Sequence, residues 1–227
     1  MRFFIIGKNK SVIVQYRKQI KQSGLAYTDR NPDIVIALGG DGTLLYAERL
    51  FPGIPKLPIR NRSICHSCDW NSLSAVLGVI RAGRYRIVRH RKLEAVARTA
   101  EGAFSKTCLN DFVIRNIHQT EAIRFTVRTG KKSLKCIGDG IVVSTPFGSS
   151  GYFYSIARRT FANGMGIAFN NLTRPVQHRV AKNQITFSLT RNRALLSADN
   201  DPDMIELDAG DTVRIRQSKA YAQLIKI

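Results

Sequence analysis

Gly39-Gly40-Asp41-Gly42-Thr43 follows the apolar run Asp33-Ile34-Val35-Ile36-Ala37-Leu38 and precedes a helical stretch from Thr43 to Leu50. Three glycines in that turn remove every Cβ that would keep a phosphate from the backbone, so amide N–H groups can face an anion. The helix behind the turn adds the positive end of its dipole, and Thr43 adds a hydroxyl, a combination suited to a di- or triphosphate. Asp41 repels such a ligand unless it holds Mg²⁺ or takes a proton from an attacking hydroxyl. An ordinary Asp-Gly turn is the competing reading of the same residues.

A second group is Asp139-Gly140-Ile141-Val142-Val143-Ser144-Thr145-Pro146-Phe147-Gly148-Ser149-Ser150-Gly151-Tyr152, an apolar strand entering a loop rich in hydroxyls and glycine. Small donors on flexible backbone suit ribose and phosphate, although Ser, Thr and Gly also make ordinary turns. The hydrolase pattern GxSxG fails, because Tyr152 stands where its last glycine is needed. Cys65-His66-Ser67-Cys68 has the CxxC spacing of zinc and redox sites. With no second pair, and with Cys108 and Cys136 isolated, buried structural cysteines are the preferred reading and no metal site is assigned. Arg81 to Lys92 is a basic run that, as a strand, puts Arg84, Arg86, His90 and Lys92 on one face, where a solvated surface is favoured over a nucleic-acid track.

The elements that must carry these groups change character along the chain. Residues 3 to 7 read as a buried strand, Ser11 to Ser23 as an amphipathic helix, and Leu73, Val76, Leu77 and Ile80 as the apolar stripe of another. Beyond Arg84 period two dominates, at Phe112 to Ile114, Ile123 to Val127, Ile141 to Val143, Gln184 to Leu189, Ala194 to Leu196, Met204 to Leu207, Thr212 to Ile215 and Ala222 to Ile227. The fold expected is an α/β nucleotide-binding domain over 1–94 carrying the phosphate turn, then a β-rich domain over 95–227 carrying the hydroxyl loop. No apolar run approaches a membrane span or a signal-peptide core, which points to a cytoplasmic protein without a membrane partner. The chain has 36 Lys and Arg against 16 Asp and Glu, a formal charge of +20, so a polyanionic ligand is expected; nucleic acid is compatible with that field but not favoured.

Taken together, GGDGT and, about a hundred residues on, DGIVVSTPFGSSGY resemble the NAD kinase family, with Leu109-Asn110-Asp111-Phe112 between them resembling that family's Asn-Glu motif. Diacylglycerol and sphingosine kinases share a GGDGT-like turn, but the serine and threonine loop is similar to the NAD kinase branch. The resemblance implies an ATP or polyphosphate donor, Mg²⁺ or another divalent cation, and transfer of phosphoryl to the adenosine ribose 2′-hydroxyl of NAD to give NADP. It also implies a dimer or tetramer. Asp41 would be the base, and Gly39, Gly40, Gly42 and Thr43 would hold the donor phosphates. Asn110, Asp111, Asp139, Thr145, Ser150, Gly151, Tyr152 and Ser155 would line the NAD site. The chain departs from the family pattern at Pro58 to Cys65, where a glycine-rich stretch is expected, and at Phe147, Gly151, Asp111 and Ala198-Asp199-Asn200-Asp201. Those departures keep alive two alternatives: a non-catalytic nucleotide- or nucleic-acid-binding homologue, and a kinase of another hydroxyl substrate.

Overall fold

The computed structural model describes residues 1–59 and 73–227. The chain divides into two compact units, Met1–His90 together with Tyr221–Ile227, and Arg91–Ala220. The sequence reading puts its boundary at residue 94; in the structure the division passes through two long strands, Arg86–Thr99 and Thr212–Lys226.

The first unit runs β1 (Arg2–Gly7), α1 (Lys10–Gln22), β2 (Ala26–Tyr27), β3 (Ile34–Leu38), α2 (Asp41–Leu50), β4 (Lys56–Ile59) and α3 (Leu73–Arg81). Its strands pair in parallel in the order β2-β1-β3-β4, and Leu224 extends the sheet beside Lys56. All five residues of β3 are buried, as expected for a parallel strand covered on both faces. Ile36, Leu57 and Ile59 of the sheet pack with Ile20 of α1 and with Val76, Leu77 and Ile80 of α3, so both apolar stripes read from sequence do line the core. Asn9 caps α1 by accepting N–H donations from Ser11 and Val12.

The second unit adds β5 (Arg86–Thr99), β6 (Gly102–Cys108), β7 (Asp111–Asn116), β8 (Ile123–Thr129), β9 (Lys132–Gly138), β10 (Gly140–Ser144), a 3-10 turn (Gly148–Ser150) and α4 (Tyr152–Ala157). Then follow β11 (Met165–Asn170), β12 (Arg179–Ala181), β13 (Ile185–Arg191), β14 (Ala194–Ala198), β15 (Ile205–Leu207) and β16 (Thr212–Lys226). One antiparallel sheet has the order β12-β11-β10-β7-β14-β15; the other runs β16-β13-β8-β9. Phe112, Ile114, Ile141 and Val143 of the first and Phe125, Phe187, Val213 and Ile215 of the second share one buried cluster, the interior of a sandwich. On the opposite face of the six-stranded sheet, Phe153 of α4 packs on Val142 and Ala168. Thr212 to Ile215 and Ala222 to Ile227, read as two strands, are one continuous strand, because sheet pairing carries the backbone through the polar Ser218-Lys219. Among the described residues no helix is long and apolar enough to cross a membrane.

Candidate functional site

In the first unit the phosphate turn is built as its sequence suggests. Gly39 follows β3 and donates its N–H to the Ile59 carbonyl at 3.0 Å, which ties the turn to the end of β4. A Cβ on Gly39 would fall 2.3 Å from Thr43 Oγ1, so only glycine lets Thr43 fold back over the turn. Gly40 is the N-cap of α2 and supplies no side-chain cap, while Asp41 is the first helical residue and Thr43 closes on the Gly40 carbonyl at 3.0 Å. An acidic side chain in a first turn complements the helix dipole. At the other end of α2 the buried Glu48 carboxylate pairs with the buried Lys56 ammonium, which also donates to the Phe51 carbonyl. That interior ion pair anchors α2 to the start of β4 and thereby fixes where Asp41 stands.

In the second unit three strand ends converge. Ser144 of β10 lies opposite Asp111 of β7, and Ala198 of β14 lies opposite Phe112. The residue after β14, Asp199, takes φ = +51°, a left-handed conformation that Asp tolerates better than most residues. Its carboxylate accepts the N–H groups of Leu109 at 2.7 Å, Asn110 at 2.7 Å and Asp111 at 3.2 Å. Lys106 donates to Asp201 at 2.9 Å and to Asp203 at 3.0 Å, holding the turn that carries Asp199.

The hydroxyl loop closes on the same place. Thr145, fully buried, donates from Oγ1 to the Leu109 carbonyl at 2.7 Å and accepts the Gly148 N–H at 2.9 Å. Ser144 donates to the Asn110 carbonyl at 3.1 Å. A Cβ on Gly148 would lie 2.4 to 2.6 Å from the Asn110 backbone, so the loop can approach Asn110 only with glycine there. The Asn110 amide faces Gly151, and its Oδ1 is buried with no hydrogen-bond partner. The buried Asp111 carboxyl is pushed up to about 7, first by loss of solvation and then by the Asp199 charge. Burial also raises Asp199, against the three amides and Lys92 that favour its ionised form.

Ser150 is exposed, and Ser155 donates to the Tyr152 carbonyl at 2.7 Å from an exposed position on α4. Tyr152 accepts from Asn170 Nδ2 at 3.4 Å, toward the opposite end of β10 from Thr145. Asp139 stands at that opposite end, six residues from Thr145 and thus about 20 Å along an extended strand, where its carboxylate accepts from Asn171 at 2.7 Å. The structure therefore gathers Asn110, Asp111, Thr145 and Gly151 at one end of β10 and sets Asp139 at the other, with Tyr152 leading from the first to the second. Ile156, Ala168, Leu172, Pro175, Val176 and His178 are among the residues lining a cavity of about 320 Å³ beside this path.

Asp199 and Lys92 are participants that sequence reasoning missed. Asp199-Asn200-Asp201-Pro202 reads as turn chemistry, and only the pairing of β14 with β7 reveals what its first carboxylate holds. Lys92, placed by the sequence on a basic face with His90, is 6% exposed, so that face is not a solvated stripe throughout. Cys108 and Cys136 are buried free thiols as expected. The Cys65-His66-Ser67-Cys68 segment, Trp70, and the stretch from Arg60 to Cys65 lie outside the described residues.

No family model matches the chain. Among curated proteins it is similar to an NAD kinase of Sulfurisphaera tokodaii, 28% identical over 180 residues, covering 75% of this chain and 70% of that one. An NAD kinase of Picrophilus torridus is 24% identical over 218 residues, covering 92% and 79%. Among solved structures, yeast NADH kinase complexed with NADH superposes with a TM-score of 0.88 at 13% identity, over 100% of this chain and 82% of that one. An NAD kinase from Archaeoglobus fulgidus in complex with ATP gives 0.82 at 17% identity, over 100% and 94%. Those two likenesses establish the fold. Curated relatives that span most of this chain are NAD kinases, and solved NAD and NADH kinases share its fold, so in sequence and in fold the chain is similar to the NAD kinase family.

Proposed function

We infer that the protein is an NAD kinase, transferring a phosphoryl group from ATP or polyphosphate to the 2′-hydroxyl of the adenosine ribose of NAD and giving NADP. The observation that carries this reading is Asp41 at the first position of α2, directly behind a glycine turn on a fully buried strand. Phosphoryl transfer asks little covalent chemistry of a protein; positioning and charge stabilisation supply most of the rate. Gly39, Gly40, Gly42 and Thr43 hold the donor phosphates with backbone amides, the helix dipole and a hydroxyl. Asp41 takes the proton from the 2′-hydroxyl as it attacks. Among the described residues no group of three metal-ligating side chains occurs. Mg²⁺ needs no such cage, since it keeps waters and takes the substrate's own phosphates as ligands, and the Thr43 hydroxyl would add one more. When bound, the divalent cation neutralises charge on the transferring phosphoryl group.

The second unit binds the acceptor. The side-chain amide of Asn110 offers a donor and a buried, unpaired acceptor, the pair of groups that matches the edge of an adenine. Asp111 supports it, Thr145 holds the loop, and Ser150, Gly151, Tyr152 and Ser155 follow the ligand along α4. An elongated dinucleotide suits the spread from Asn110 to Asp139. The protein assembles as a dimer or tetramer, as the resemblance implies. The relatives carry kinase names, which favours catalysis over a binding-only homologue.

Asp41→Asn keeps the side chain's size and removes the base. NADP formation with Mg²⁺ and either ATP or polyphosphate is expected to fall by roughly 10²-fold or more, while NAD still binds in a calorimeter. Unchanged turnover in the variant would remove Asp41 from its role.

A further inference from the structure

The solvent side of the sheet β16-β13-β8-β9 carries one sign of charge. Alternate residues of these strands face the core, namely Phe125, Val127, Cys136, Phe187, Val213 and Ile215. The others face water and form cross-strand rows. One row runs Arg214, Thr186, Arg128, Ser133; the next runs Thr212, Ser188, Thr126, Lys135. Arg124 continues the outward face of β8, and Arg216 that of β16. None of the outward positions on these strands is acidic, and among the described residues Arg216 is paired with Glu94. Arg124, Arg128, Lys135 and Arg214 are exposed and form no ion pair among the described residues.

A merely solvated sheet face mixes its charges, because like charges close together across strands destabilise the pairing. Here Arg128 and Arg214 flank one threonine about 10 Å apart, with hydroxyls between them that can donate to phosphate oxygens. We propose that this face is a docking surface for duplex nucleic acid, bound through its phosphate backbone without regard to sequence. The duplex is favoured over a single strand because no aromatic side chain on these rows offers a base a stacking platform. It is favoured over a membrane because Ile137, at the edge, is the only large apolar side chain among them. A second copy of the chain is disfavoured, since a two-fold contact would set the same cations against each other.

Anisotropy of a labelled, mixed-sequence DNA duplex tests the surface in the 227-residue chain. Four phosphate contacts give a slope of log K against log salt of about −3.6, from about 0.9 per contact. Replacing all four cations, with Arg124→Gln, Arg128→Gln, Lys135→Gln and Arg214→Gln, is expected to lower affinity about tenfold or more and to flatten that slope by about one per residue. A control removes as many charges from the first unit, with Lys10→Gln, Lys18→Gln, Lys21→Gln and Arg30→Gln, and is expected to keep most of the affinity. NADP formation in each variant reports that the fold is intact, and the pair Arg124→Gln with Arg128→Gln replaces the fourfold variant if that one does not fold. Equal losses in the surface and control variants would overturn the proposal, assigning the effect to net charge. So would absence of duplex binding at low salt, or capture by anionic vesicles with none by the duplex.

Discussion

Asp199 adopts a backbone conformation that costs most residues roughly 1–2 kcal/mol, and from it serves three consecutive amides. Glycine accepts that conformation without supplying an acceptor, so Asp199→Gly separates the hydrogen bonds from the strain. We expect it to destabilise the protein by about 2 kcal/mol in urea unfolding and to raise KM for NAD more than it lowers kcat, because Asn110 loses its anchor. Asp111 gives a pH signature. Its carboxyl is raised to about 7 in the folded chain, above the ordinary value, so the folded state holds the extra proton. The stability this contributes is complete below about pH 4 and is lost as the pH rises through about 7. Asp111→Asn should therefore flatten the decline in thermal midpoint across that window and be the more stable form, relative to the parent, at pH 8. A parent and variant that decline in parallel would assign the decline to other groups.

The elements show why parts of the site were legible and parts were not. The β3 run, its glycine pair and α2 announce themselves because a buried parallel strand must be apolar throughout and a tight turn must spare its Cβ atoms. The α3 stripe is visible for the same kind of reason, with four core residues at helical spacing. β6 and β9 escape because Gly, Ala, Ser and Lys fill them and pairing, not propensity, makes them strands. α4 escapes too, being six residues long, too short to display a period, so the sequence reads the whole hydroxyl stretch as a loop. The contact of that stretch with Asn110 is a tertiary fact, and Gly148 is its test. Gly148→Ala drives a Cβ into the Asn110 backbone, and overpacking of that kind costs about 1–3 kcal/mol. Loss of NAD affinity with the phosphate turn untouched is the expected result, read by calorimetry with NAD and ATP separately.

At the scale of the molecule, a formal +20 on 227 residues is a standing self-repulsion, and counter-ions relieve it. Raising ionic strength from low to physiological salt should raise the thermal midpoint by on the order of a few degrees, whereas it should weaken any bound polyanion. A midpoint indifferent to salt would mean that the charges lie too far apart to matter. The continuity of β16 has a different consequence, one of timing. Leu224 pairs with Lys56, and Ile225, 2% exposed, sits in the core of the first unit. On the ribosome the phosphate turn emerges early, but the sheet that supports it waits for residues made after the entire second unit. The usual order of synthesis, in which the N-terminal part folds first, is thus reversed: the β-sandwich can finish while the nucleotide-binding half remains an unclosed sheet.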